Sequence, residues 1–165
     1  MHQRFRVLPA RPQELDRILE IEHACFGRDA YDRNLFAGFF HKCGDLFLTV
    51  KEARDICGYM VTCIRGKGPA ARAELVSVAV DPKAQKRGAA TALMKSTIRR
   101  LKLRKVGTIS LMVRVSNTAA QAFYEKFGFA KGKRVKRYYE DAEDGWYIKR
   151  SLEKAKRKRA TDEHG

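Results

Sequence analysis

Apolar positions recur at readable periods along nearly the whole chain. Arg4-Phe5-Arg6-Val7-Leu8 alternates like a strand. Pro12 suits the first turn of a helix, and Leu15, Ile18, Leu19, Glu22 and Phe26 follow it at helical spacing. Gly27-Arg28-Asp29-Ala30 breaks that helix, and Leu35, Phe36, Phe39 and Phe40 mark a second, shorter one. Leu46-Phe47-Leu48-Thr49-Val50 and the run from Ile56 to Ile64 are apolar and β-prone, with a hairpin at Ala53-Arg54-Asp55 between them. Gly66-Lys67-Gly68-Pro69 turns the chain into a fourth strand over 72–81.

The stretch that follows carries the clearest chemistry. Val78-Ala79-Val80 reads as a buried strand end, and Pro82 stops it because proline has no N–H for a ladder. Gln85-Lys86-Arg87-Gly88 is a basic turn, and Ala89, Ala92, Leu93, Thr97 and Leu101 open a helix that reaches about Arg104. A helix start leaves N–H groups unpaired and its dipole favours an anion. Gly88 permits close backbone approach, so the spacing predicts a phosphate site at a strand-to-helix turn. Neither the P-loop nor the dinucleotide fingerprint is present.

Thr108-Ile109-Ser110-Leu111-Met112-Val113 is a fifth strand. Asn117 or Thr118 then caps a helix, and Thr118 and Gln121 have capping-box spacing. Ala120, Phe123 and Phe127 line its inner face, and Gly128 ends it. Two closing strands are expected over 129–138 and 146–152, around an acidic loop at 140–145. The order β-α-α-β-β-β-α-β-α-β-β predicts one mixed α/β sheet of about seven strands with about four helices on its two faces. A single domain over 1–152 and a basic, flexible tail over 153–165 are expected.

Composition narrows the class. A chain of 165 residues with 44% hydrophobic content suffices for one buried core. No run of roughly 18 apolar residues exists, and the first residues lack the apolar core of a secretory signal. Cys25, Cys43, Cys57 and Cys63 form no C-x-x-C pair, so reduced thiols in a cytoplasmic protein and no metal site are expected. The net charge of +16 permits ribosome or nucleic-acid proximity, although aromatic platforms for bases are mostly absent.

Three segments together resemble the Gcn5-related N-acetyltransferases (GNAT). Val78-Ala79-Val80 with Gln85-x-x-Gly88-x-Ala90 is similar to that family's Gln/Arg-x-x-Gly-x-Gly/Ala signature. The run from Asn117 to Phe129 is similar to its Asn-x-x-Ala-x-x-x-Tyr-x-x-x-Gly-Phe segment. Tyr138-Tyr139 followed by Glu143-Asp144-Gly145-Trp146-Tyr147 resembles the closing segment of the protein N-terminal branch, which includes the ribosomal-protein alanine acetyltransferases. The resemblance implies acetyl-CoA as co-substrate. It implies Val78, Ala79 and Val80 along the pantetheine arm, and Gln85, Lys86, Arg87, Gly88, Ala89, Ala90 and Thr91 around the pyrophosphate. Asn117 would touch the same molecule.

Acetyl transfer needs a neutral amine, a polarised carbonyl and a proton for the departing thiolate. Tyr124 matches the family's general acid, and a backbone N–H near Val80 its oxyanion donor. The base is open between Glu74 and Asp29, because Met112 stands where the alanine branch often carries Glu. Tyr31, Tyr138 and Tyr139 are expected to hold the acceptor. That acceptor is a protein N-terminus, or alternatively a small amine or a lysine side chain. A third possibility is a non-catalytic acyl-CoA or nucleic-acid binding module.

Overall fold

The computed structural model describes residues 4–153. The elements in order are β1 (Phe5–Pro9), α1 (Leu15–Phe26), α2 (Arg33–Cys43), β2 (Phe47–Glu52), β3 (Asp55–Arg65) and β4 (Arg72–Val80). They continue with α3 (Ala89–Leu103), β5 (Thr108–Arg114), α4 (Thr118–Lys126), β6 (Ala130–Val135) and β7 (Gly145–Ser151). Element number, type and order agree with the hydrophobic pattern. The tail expected over 153–165 lies outside the described residues from position 154 onward.

The seven strands form one sheet in the order β1-β2-β3-β4-β5-β7-β6. Neighbours are antiparallel except β4 and β5, which run parallel. That parallel pair is joined only at Ala73–Ile109 and Glu74–Ser110. A bulge in β4 follows directly on that junction. Val61 faces Ser77 and Thr62 faces Leu75, so Val76 is an extra residue in β4. A bulge of this kind bends its strand and increases the local twist. Beyond it β4 stays with β3 and parts from β5.

Each face of the sheet has its own core. On one, Ile18 and Ile21 of α1 and Phe36 and Phe39 of α2 cover Phe47, Tyr59, Val61 and Ala79. Phe36 meets Phe39 and Tyr59 edge-on at 5.3 and 5.4 Å between ring centres, a favoured aromatic geometry. On the other, Leu93, Met94 and Leu101 of α3 and Tyr124 of α4 cover Leu48, Met60, Ile109, Leu111 and Ile148.

Three local expectations change. First, the sixth strand ends at Val135 instead of Tyr138. Arg137 adopts φ 53°, and its N–H donates to Asp144 at 3.0 Å, which turns the chain out of the sheet. Tyr138 and Tyr139 therefore sit in a loop. Second, Asn117 alone caps α4, and Gln121 turns away to donate to the carbonyls of Arg114 and Val115, each at 3.0 Å. Third, Cys43 and Cys63 are joined as a disulfide across a Cα separation of 4.6 Å, while Cys25 and Cys57 are free. Packing α2 on β3 brings together two cysteines that share no motif. The expectation of four reduced thiols, and the compartment argued from it, loses that pair.

Candidate active site

The gap between β4 and β5 opens toward the turn that sequence analysis singles out. Asp81 ends β4, accepts from the Lys83 N–H at 3.0 Å and is held by Arg17 of α1 at 2.7 Å. The Lys83 N–H first, and then the Arg17 guanidinium, hold the Asp81 carboxyl below its usual range. Gln85 folds back and donates to the Val80 carbonyl at 2.9 Å. Lys86 and Gly88 then adopt φ of 65° and 102°. Successive residues of this kind turn their N–H groups inward to form an anion-binding concavity.

Helix α3 starts at once. Its first backbone bond runs from the Ala92 N–H to the Gly88 carbonyl at 3.0 Å. The N–H groups of Ala89, Ala90 and Thr91 precede that bond and have no partner within the helix. Arg87 is turned aside to Glu52 at 2.7 Å, where Arg4 also pairs at 2.6 Å. The attraction for an anion at this turn therefore comes from backbone N–H groups, the helix dipole and Lys86. Asn117 caps α4 through Oδ1, accepting from Ala120 at 3.1 Å, which leaves its amide NH2 to donate.

An aromatic groove lies past the open end of the gap. Tyr124 is 6% exposed and rests against Phe123 and Phe129 with ring centres 5.4 and 5.6 Å apart. Burial, with a smaller contribution from Tyr139, raises its phenol far above the ordinary range. Tyr139 itself is pushed up to about 12, by burial first and then by Tyr138. The Arg114 guanidinium stacks on its ring at 4.1 Å. Burial also raises the Tyr31 phenol, with Glu22, Tyr138 and Glu74 adding to it. Tyr31, Tyr138, Tyr139 and Tyr124 thus form one neighbourhood drawn from three separate segments.

Arg114 ties the groove together. It pairs with Glu143 and Asp141 at 2.9 Å each and with Asp29 at 4.0 Å. One guanidinium at the end of β5 thereby joins the loop after α1 to the loop between β6 and β7. Both carboxylates expected as bases are surface groups. The Asp29 side chain is 78% exposed beside Arg114, and that of Glu74 is 44% exposed and bonded to Arg65 at 3.0 Å. The Met112 methyl lies near Gly145, whose added Cβ would approach it at 2.8 Å and Tyr139 at 3.2 Å. A groove of about 520 Å³ between α3 and Phe127, lined by Ile98, Leu103 and Arg150, includes none of these residues.

Sequence reading missed two organising residues, Arg114 and Glu22. Arg114 appears only as the end of a strand, and its partners lie far from it along the chain. Glu22 carried a signal: it is an acid on the apolar stripe of α1, and it is 1% exposed.

A parted pair of strands, a helix start with free N–H groups and a cluster of tyrosines near it fit a group-transfer enzyme. The chain belongs to the acetyltransferase (GNAT) family, whose model matches residues 15–129. It is an acetyl-CoA-dependent N-acetyltransferase. Among its relatives is an N-alpha-acetyltransferase of Saccharolobus solfataricus, 29% identical over 90% of this chain and 93% of the relative. A ribosomal protein bS18-alanine N-acetyltransferase of Salmonella typhimurium is 35% identical over 64% of this chain and 70% of that one. The crystal structure of the Escherichia coli ribosomal-protein-S18-alanine N-acetyltransferase superposes with a TM-score of 0.79 at 25% identity, over 93% of this chain and 97% of that one. Among the described residues there is no group of His, Cys, Asp and Glu side chains fit for a metal, and no helix long and apolar enough to cross a membrane.

Proposed function

We propose that the acceptor is a protein N-terminal α-amine, of the ribosomal-protein alanine type. The observation that carries this reading is the groove itself. Tyr31 lies close enough to Tyr138 and Tyr139 for their phenols to influence one another, and two of the three are at least 42% exposed. Their phenols and rings suit an extended peptide end, with hydroxyls for its backbone and aromatic walls for its first side chains. The two named relatives that act on protein α-amines support the same acceptor class.

Acetyl-CoA would lie with its pyrophosphate on the N–H groups from Lys86 to Thr91, beside Gln85. Its pantetheine arm would run along Val78, Ala79 and Val80, within reach of Asn117. Past Val76 β4 keeps β3 on one edge and has no strand partner on the other, so the backbone groups of that edge are available to an amide-bearing arm. The amine attacks the thioester carbon directly, with both substrates bound. A new C–N bond forms, the C–S bond breaks, and the nitrogen loses a proton. Negative charge developing on the carbonyl oxygen is met by a backbone N–H near Val80. Tyr124 gives its phenolic proton to the departing thiolate. Its raised pKa keeps that proton in place at neutral pH.

The demand on a base is modest. An α-amine has a reference pKa of about 7.7–8.0, so roughly a tenth is already neutral at pH 7. A lysine amine near 10.4 is far more fully protonated. Asp29 or Glu74, acting through water, suffices for the first and not for the second. Both stand in solvent contact with an arginine beside them.

A panel of acceptors tests the reading. With acetyl-CoA, an alanine-initiated peptide is expected to release CoA, whereas an N-terminally blocked lysine peptide and a small diamine are not. Turnover confined to either of the latter overturns the assignment in favour of a side-chain or small-amine enzyme. Tight CoA binding with no turnover on any acceptor points to a binding module.

A further inference from the structure

We propose that Glu22 is a positioning residue for the acceptor. Its carboxylate is buried to 1% exposure in α1, where the helical stripe otherwise carries aliphatic residues. Burying a charge there is costly unless it is hydrogen-bonded, and both oxygens have donors. Oε2 accepts from the Tyr31 backbone N–H at 2.9 Å. Oε1 accepts from the Tyr59 hydroxyl, which in turn lies 2.9 Å from Ser77 Oγ. Tyr59 is fully buried in β3, and Ser77 sits on β4 directly before Val78.

The result is a hydrogen-bonded tie from β4 through β3 and α1 to the loop that presents Tyr31. That loop is short: α1 ends at Phe26, and Asp32 caps α2 by accepting from Leu35 at 2.9 Å. Between those points Glu22 reaches nine residues forward to fix one N–H. The tie sets where the Tyr31 ring stands over the strand that would bear the thioester. With a donor on each oxygen and 1% exposure, Glu22 is closed to solvent, and the proposal gives it no part in the proton exchange. The inference rests on the acceptor groove proposed above.

The geometry separates positioning from acid–base chemistry. A glutamine at position 22 satisfies every partner. Its carbonyl oxygen accepts from Tyr31, its NH2 donates to the Tyr59 oxygen, and Tyr59 turns its own proton to Ser77. A leucine fills the volume and satisfies none. With the alanine-initiated peptide as probe, Glu22→Leu is expected to raise the acceptor KM about tenfold or more, the scale of a lost hydrogen bond to a charged group. The KM for acetyl-CoA stays near the native value. Glu22→Gln restores the acceptor KM. Hydrogen exchange at the Tyr31 amide, read by mass spectrometry, accelerates in Glu22→Leu and stays slow in Glu22→Gln.

An unchanged acceptor KM in Glu22→Leu, or a loss of kcat in Glu22→Gln as deep as in Glu22→Leu, overturns the proposal. Tyr31→Ala run in parallel locates a failure. If Tyr31→Ala also leaves the acceptor KM unchanged, the groove assignment has failed. If it raises KM and Glu22→Leu does not, only the positioning role has. Should Glu22→Leu not fold, Tyr59→Phe removes one donor and keeps the ring in place. A smaller rise in acceptor KM is then expected, and no rise overturns the tie.

Discussion

At the scale of single residues, the site divides by what each side chain can exchange. Tyr124 is nearly buried among rings, and burial raises its phenol, so it is protonated at neutral pH. In the reaction proposed above that proton goes to the departing thiolate. Tyr124→Phe keeps the ring contacts with Phe123 and Phe129 and removes only the proton. Turnover is expected to fall by about 10² or more, with CoA affinity by calorimetry little changed. Equal turnover in the variant removes Tyr124 from the chemistry. Met112 has no proton to exchange, and its place on β5 beside Gly145 makes it a wall. That agrees with an acceptor whose amine is partly neutral before it arrives.

At the scale of elements, the readable and the unreadable follow from the range of the interactions. The turn at Gln85–Gly88 and the cap of α4 depend on neighbours a few residues away; the turn falls where the spacing predicts it, and the cap falls on Asn117, one of the two candidates, without the expected capping box. Glu22, Arg114 and the Cys43–Cys63 pair depend on partners brought near only by folding; spacing marks Glu22 as an acid on an apolar stripe but names none of these partners. The split of β4 from β5 is of the second kind, since its bulge at Val76 is defined only against β3. Gly58 shows how tightly that region is built. A Cβ there would lie 2.9 Å from the Ala79 carbonyl oxygen and 3.0 Å from a Val50 methyl. A backbone atom in a central strand has little room to yield. Gly58→Ala is expected to cost about 1–3 kcal/mol in thermal unfolding and to raise the KM for acetyl-CoA, because relief of the clash moves β4. An unchanged melting temperature contradicts that account.

At the scale of the whole molecule, charge is unevenly placed. The chain carries +16, which from sequence argues against a cationic acceptor. Yet the groove collects Asp29, Glu74, Asp141 and Glu143, with Arg65 and Arg114 as their partners. An ammonium arriving at the groove meets carboxylates, whatever the rest of the surface carries. The loop leading to β7 depends on the same charges. Asp141, Glu143 and Asp144 are held below the usual carboxylate range: the two aspartates first by the N–H groups of Glu143 and Arg137 and then by Arg114 and Arg134, and Glu143 first by the Ser116 side chain, then by Arg114 and the Ser116 N–H. Folded pKa values below the unfolded ones mean that these contacts stabilise the loop above about pH 4 and are lost as pH falls through the lowered values. NMR signals from residues 137–144 are expected to shift in that acid range before the core signals do. A loop that moves only with global unfolding contradicts this.

The two-rung junction between β4 and β5 has a mechanical meaning. On one side stand four strands and on the other three, and the sheet passes force between them only through Ala73–Ile109 and Glu74–Ser110. The molecule is built like a clothes-peg, with that junction as the spring and Arg114 clasping Asp29 across the jaws. In the reading proposed above, a pantetheine arm lying between the jaws would supply the missing rungs of the ladder and stiffen the sheet.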